Sequence, residues 1–105
     1  MPQPLKKDDS ILCLLELLGT RLGSGAFDVV DHWEADACAV GVASPRDHGV
    51  LAYLSTFGLP AGRYYLELEC PPRSGDEAPY EVAGRFTALE FEELVDIVAR
   101  HLLAR

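Results

Sequence analysis

A chain of 105 residues makes one domain, long enough to bury about two thirds of the surface its unfolded form exposes and to fold without covalent staples. Nine basic and seventeen acidic side chains leave a formal charge of −8, and residues 24–99 alone carry four basic against fourteen acidic groups, a net of −10. A field of that sign repels nucleic acid and anionic membrane, and no basic patch interleaved with aromatics or apolar run of ~20 residues points to either.

Residues 1–7 hold two prolines and two lysines and read as a flexible tail ahead of a single α+β domain over 8–105. Lys6 and Lys7 precede an apolar run, but Asp8, Asp9 and Glu16 interrupt it and no small-residue cleavage site follows, so no secretory signal is expected. Asp8, Asp9 or Ser10 caps a first helix that runs to about Leu22, with Ile11, Leu14, Leu15, Leu18 and Leu22 at helical spacing and Gly23 as the stop. Leu12, Cys13 and Leu17 widen its apolar surface, so the helix is either deeply buried or used both in the core and against another chain.

Phe27–Glu34 reads as an edge strand, with Phe27, Val29 and Trp33 on one side and Asp31 as the inward charge that discourages edge-to-edge pairing. After a tight turn at Ala35 and Asp36, Ala37–Ala43 is a second strand with a branched face, Cys38, Val40 and Val42, and a nearly bare one, Ala39, Gly41 and Ala43. Residues 45–49 read as a loop and Val50–Thr56 as a central strand apolar on both faces. Gly58, Pro60 and Gly62 turn the chain into residues 63–70, where Tyr64, Leu66, Leu68 and Cys70 alternate with Arg63, Tyr65, Glu67 and Glu69, the pattern of a half-buried antiparallel strand. A proline-rich polar loop, 71–79, leads to a fifth strand, Tyr80–Phe86, with Tyr80, Val82 and Phe86 inward and Gly84 marking a bulge or a close approach. Thr87-Ala88-Leu89-Glu90 has the form of a capping box, flanked by Phe86 and Phe91 at the spacing of a hydrophobic staple. The last helix carries a Phe91, Leu94, Val95, Val98, Leu102 stripe, with acids early and Arg100, His101 and Arg105 late.

The expected fold is α-β-β-β-β-β-α: a two-layer sandwich with a five-stranded antiparallel meander and both helices on one face. Five strands at ~4.8 Å and two helices at ~10 Å give layers of similar width, about 24 and about 20 Å. The other sheet face then stays open. It would present Tyr65, Glu67 and Glu69, the bare row of the second strand, and Leu51 and Tyr53 or their alternates.

Few residues carry chemistry. His32 and Glu34 share a face if 27–34 is a regular strand, which allows a general base or half a metal site, but a metal needs three or four ligands and no metal site is expected. Cys13, Cys38 and Cys70 are odd in number and lack C-x-x-C spacing, which suits buried thiols in a reducing, cytoplasmic setting. Cys70 has no local base to activate it. His48 reads as solvated in its turn, and His101 as a charge at a helix C-terminus. Glu67 and Glu69, two residues apart, lie ~6.5–7 Å from each other along the strand, but a flat sheet offers no cleft for paired-carboxylate chemistry. No cofactor is implied.

The function expected from these features is that of a small acidic, non-enzymatic protein-binding module of a bacterial type. Size, charge and layering are those of toxin-neutralising immunity proteins and secretion chaperones, by analogy alone. Its partner would be a basic protein or a second copy of the chain, met by Trp33, Tyr53, Tyr65, Glu67 and Glu69, with no part for nucleic acid or membrane. The alternative is a small hydrolase or metal-dependent enzyme using His32 and Glu34.

Overall fold

The structure is a computed structural model that describes residues 6–72 and 80–103. Its elements run α1 (Asp9–Leu22), β1 (Asp28–Val30), β2 (Ala39–Ser44), β3 (Asp47–Ser55), β4 (Tyr64–Cys70), β5 (Glu81–Leu89) and α2 (Phe91–Leu103). The strands form one antiparallel sheet in the order β1-β2-β3-β4-β5, the expected meander.

Register explains how the sheet is sided. Residues directly opposite in antiparallel strands share a face. Val40, Leu54 and Leu66 form one cross-strand row, and Val42, Ala52 and Leu68 the next. Both rows are buried in one cluster with Ile11, Leu14 and Leu18 of α1 and Leu94, Val98 and Leu102 of α2. Both helices therefore cover the same face. Arg21 on α1 reaches Glu92 on α2 with two bonds of 2.5 and 2.8 Å and lies 5.8 Å from the Phe91 ring, which ties the helices side by side. Leu12, Cys13 and Leu17 stay exposed on the outer side of α1.

The helix ends differ in how well local chemistry foretold them. Asp8 caps α1, accepting from the Ser10 amide at 3.0 Å and the Ser10 hydroxyl at 2.5 Å, and Gly23, at φ +100°, stops it. Those two bonds hold the exposed Asp8 carboxyl below its ordinary pKa. At α2 the expected capping box is displaced by three residues. Thr87 and Ala88 belong to β5, where both stand opposite Tyr65 in a bulge, with Ala88 in the left-handed region at φ +60°. Glu90 takes the capping position, and the Glu93 carboxylate accepts its amide at 3.0 Å, the reciprocal half of a box one turn later. The staple pair is then Leu89 and Leu94, both in the core cluster.

Three further expectations change. The first strand ends at Val30 rather than Glu34, and residues 31–38 form a loop. The loop expected over 45–49 is a two-residue turn at Pro45 and Arg46, after which β3 starts irregularly: Ala43 pairs with Leu51 but Ser44 with Asp47. A bulge on β5, where Ala83 is the extra residue between the pairs Leu68–Gly84 and Glu69–Val82, sets Val82 opposite Glu69 and turns it to the open face, and Tyr80 is exposed, while Phe86 packs on the core as expected. Most of the 71–79 loop lies outside the described residues. None of the three cysteines is in a disulfide, and none is fully buried: Cys13 is exposed, and Cys38 and Cys70 are half-buried.

Lys7 departs most from expectation. Its side chain is 1% exposed, and its ammonium donates to the carbonyls of Trp33 (2.9 Å) and Asp36 (2.8 Å) and pairs with Asp31 at 2.9 Å. Next to it, the Asp8 amide donates to the Ala37 carbonyl at 2.8 Å. The start of α1 and the 31–38 loop are thus one unit. The charge of Asp31, read as an edge guard, is instead the counter-ion of a buried lysine.

Replacing Lys7 by Met keeps the stem's packing and removes the charged donor, leaving the Trp33 and Asp36 carbonyls and the Asp31 carboxylate with only the backbone amides of Asp36, Ala39 and Trp33 as donors. Lys7→Met should cost about 2–3 kcal/mol in denaturant unfolding. It should also red-shift the emission of the single tryptophan, Trp33, in the folded state. A variant as stable as the parent with unchanged emission would show that the 31–38 loop holds itself.

Candidate functional site

The face opposite the helices is built in three cross-strand rows. The first is Ala39, Ser55 and Tyr65; the second is Gly41, Tyr53, Glu67 and Arg85; the third is Ala43, Leu51, Glu69 and Val82. This face is not flat. The 31–38 loop folds back over the bare side of β2, and Trp33 lies on Gly41. A methyl group built on Gly41 would sit 2.8 Å from the indole and 2.9 Å from the Val30 carbonyl oxygen, so the absence of a side chain there is what lets the indole reach the sheet. The ring then meets Tyr53 edge-on, with centroids 4.8 Å apart at 64°, and Tyr53 meets Tyr65 at 6.1 Å and 75°. His32 stands beside Trp33 at 5.6 Å. An aromatic row therefore crosses three elements of the face.

Beside this row is a cleft of about 790 Å³. Its floor is Leu51, Tyr53, Glu67 and Glu69, and His32 and Trp33 wall one side. The irregular start of β3, Asp47–Gly49, and the end of β4 at Pro71 and Pro72 wall the other. These two segments are pressed together at Gly49, where a methyl group would stand 2.9 Å from the Pro71 ring. Tyr80 closes one end.

The two carboxylates on the floor are not equivalent. Glu67 Oε1 accepts from the Arg85 side chain at 2.8 Å and from the Tyr65 hydroxyl at 3.0 Å, so its charge is balanced within the sheet. Glu69 has apolar neighbours across both ladders, Leu51 and Val82. Burial, and next the charge of Glu67, push the Glu69 carboxyl above its ordinary pKa, and His32 pulls the other way. Burial also raises the Tyr53 and Tyr65 hydroxyls.

All five residues singled out for partner contact, Trp33, Tyr53, Tyr65, Glu67 and Glu69, line this one cleft. His32 and Glu34 both lie in the loop: His32 lines the cleft, and it also borders, together with Trp33, Glu34 and Phe57, a neighbouring hollow of about 700 Å³. The strand geometry that would have paired them does not exist. Among the described residues no three His, Cys, Asp or Glu side chains come together as metal ligands. His48 is not simply solvated, since its Nε2 is 2.7 Å from Asp28 across the sheet. His101 is buried, and its Nε2 lies 2.9 Å from the Glu69 carbonyl oxygen, which pins the C-terminal half of α2 to the back of the cleft floor. Sequence reasoning missed His32, Pro71 and Tyr80 as cleft walls; the bare row around Gly41 was the signal that something large lies over it.

Searches against protein families, curated proteins and solved structures find no match to this chain. Among the described residues no helix is long and apolar enough to cross a membrane.

Two outcomes follow from the geometry. Gly41→Ala should displace the indole, because the Val30 carbonyl is backbone and cannot swing aside; the near-ultraviolet circular dichroism of the Trp33–Tyr53 pair should weaken while far-ultraviolet spectra hold. An unchanged near-ultraviolet spectrum would mean that the ring does not rest on Gly41. Glu69→Gln should stabilise the fold at pH 7. A carboxyl whose folded pKa is raised binds protons more readily folded than unfolded, so its charge weakens the fold at high pH, and that penalty fades as pH falls toward and below its ordinary value of 4.5. Unfolding curves of the parent and Glu69→Gln should therefore differ at pH 7 and converge near pH 4. A variant less stable than the parent at pH 7 would contradict the assignment.

Proposed function

We propose that this protein is a non-enzymatic binding module that takes a basic segment of a protein partner into the open-face cleft. The observation that carries the reading is the aromatic row Trp33–Tyr53–Tyr65 running beside carboxylates on a concave surface of a chain with a formal charge of −8. Tyrosine and tryptophan give large contact area at low entropic cost, and the acidic groups of the cleft steer a cationic partner before contact. The cleft is also preorganised. Trp33 is seated on the sheet, Glu67 is held by two donors, and Lys7 fixes the loop, so little freedom is lost on binding. Toxin neutralisation or chaperoning of a secreted protein, in a bacterial cytoplasm, is the setting this chemistry suits.

The enzymatic reading has less support. His32 and Glu34 border one shallow hollow, but among the described residues no third His, Cys, Asp or Glu joins them as a metal ligand, and Glu67 is occupied by Arg85. A second copy of the chain, itself acidic, is a poorer charge match for the cleft than a basic protein.

The test is kinetic. With a partner captured from native lysate, Tyr65→Ala should raise the dissociation rate about tenfold or more and change association little. The Glu67→Lys, Glu69→Lys double variant should slow association at low salt and flatten its dependence on ionic strength. Rates unchanged by both variants would reduce the acidic face to a solubility feature and remove the main support for a binding module.

A further inference from the structure

We infer that the cleft holds one arginine side chain of the partner, its guanidinium paired with Glu69 and flanked by the tyrosine and tryptophan rings. This deepens the binding-module reading and rests on it.

The two carboxylates differ in what they have left to offer. Glu67 already accepts from Arg85 at 2.8 Å and from Tyr65 at 3.0 Å, the two donors that set its position. Glu69 shares the cleft floor but stands between Leu51 and Val82 in its row, so the sheet supplies it no cation from either side. Arg85, the base of the next row, is turned to Glu67. Burial and the neighbouring charge of Glu67 both work against the ionised Glu69, and His32 on the cleft wall offsets only part of this, the situation that a cationic guest relieves further.

The surroundings choose between the two common cations. The floor and walls near Glu69 are mainly apolar and aromatic: Leu51, Tyr53, Trp33 and Pro71. Tyr53 stands diagonal to Glu69 across the β3–β4 ladder, within reach of a group bound at its carboxylate. A lysine ammonium is a strongly hydrated point charge that wants several acceptors. A guanidinium is planar and weakly hydrated, pairs with a carboxylate through two parallel bonds and lies well against aromatic rings. Of the three carboxylates on the cleft, Asp47 accepts from the Gly49 amide and Glu67 from Arg85 and Tyr65, which leaves Glu69, beside Leu51 and the rings, as the one suited to a guanidinium. This arrangement also assigns roles: Glu67 holds Tyr65 in place, and Glu69 is the carboxylate that binds.

The experiment titrates the full-length, isotope-labelled protein with three short peptides of one sequence, Gly-Gly-X-Gly-Gly, with X arginine, lysine or citrulline, and follows amide and indole resonances. The arginine peptide should give saturable shifts at Trp33, Leu51 and Glu69. Citrulline, which keeps the shape and loses the charge, should bind about tenfold more weakly or worse, and lysine should fall between. Glu69→Gln should weaken the arginine peptide by about tenfold, whereas Glu67→Gln should weaken it less. Equal binding of citrulline, equal binding of lysine, or indifference to Glu69→Gln would each overturn the inference. Glu69→Gln is expected to be at least as stable as the parent, so loss of binding there is not loss of folding. A long oligoarginine peptide separates the two levels. If it binds this face in a salt-dependent way while the short peptides ignore Glu69, the arginine site fails and the basic-partner reading stands; if it does not bind, both fail.

Discussion

The site depends on where one buried ammonium sends its three bonds. Lys7 precedes the first helix, and its oxygens all belong to the segment that follows β1. A charge with a 1% exposed side chain is tolerable only with such partners, and these partners exist in one conformation of the 31–38 loop. That conformation carries Trp33 back across the edge of the sheet and sets it on Gly41. The helix side of the protein would pack without this loop. The open side would not: without the loop, β2 would present alanines and a glycine to water, and the cleft would lack a wall.

The aromatic row is best understood as a consequence of sheet register. Gly41, Tyr53 and Glu67 are successive members of one cross-strand row, so the space missing at Gly41 is filled by a ring that then touches the next member, Tyr53. Tyr53 in turn meets Tyr65 on the diagonal, and Tyr65 returns a hydrogen bond to Glu67 in the row it left. Each contact positions the next. Rigid placement of this kind lowers the entropy that any ligand of such a face would cost on binding.

Legibility in the sequence followed the range of the interactions involved. Alternation over 63–70, the 3.6-residue stripe of the last helix and the glycine stop of the first are short-range patterns, and they led correctly to five antiparallel strands with both helices on one face. The alternation also sided Tyr65, Glu67 and Glu69 correctly, because a strand's period leaves no other choice. What failed was decided at longer range or by competition between equals. Phe27–Glu34 has the alternation of a strand, but Lys7, more than twenty residues away, binds the carbonyls of Trp33 and Asp36 and takes that backbone out of the ladder. Thr87 and Glu90 satisfy a capping-box spacing, yet Glu90 and Glu93 satisfy the same spacing, and the β5 bulge at Thr87 and Ala88 selects the later start. Val82 changed face because the bulge at Ala83, opposite the Leu68–Glu69 step, shifts the parity of β5, which no local pattern records. The bare row of β2 was the one long-range feature with a local trace: a strand does not leave alanine, glycine and alanine facing water without something to lie there.

Placing Glu69 in this setting sets stability against use. Its neighbours across the ladders are apolar, burial is the main cost of ionising it, and the Glu67 charge adds to that cost while His32 offsets part of it. A glutamine there would suit the fold better. The backbone behind it is nevertheless reinforced, since the Glu69 carbonyl oxygen lies 2.9 Å from Nε2 of the buried His101, and α2 thereby holds the strand where the carboxylate emerges. A carboxylate that weakens the isolated fold, projected from a strand braced from behind into a cleft lined with rings, is the feature on which the proposal of a cationic partner rests: a positive charge placed beside it would offset the cost that burial and Glu67 impose, as His32 already does in part.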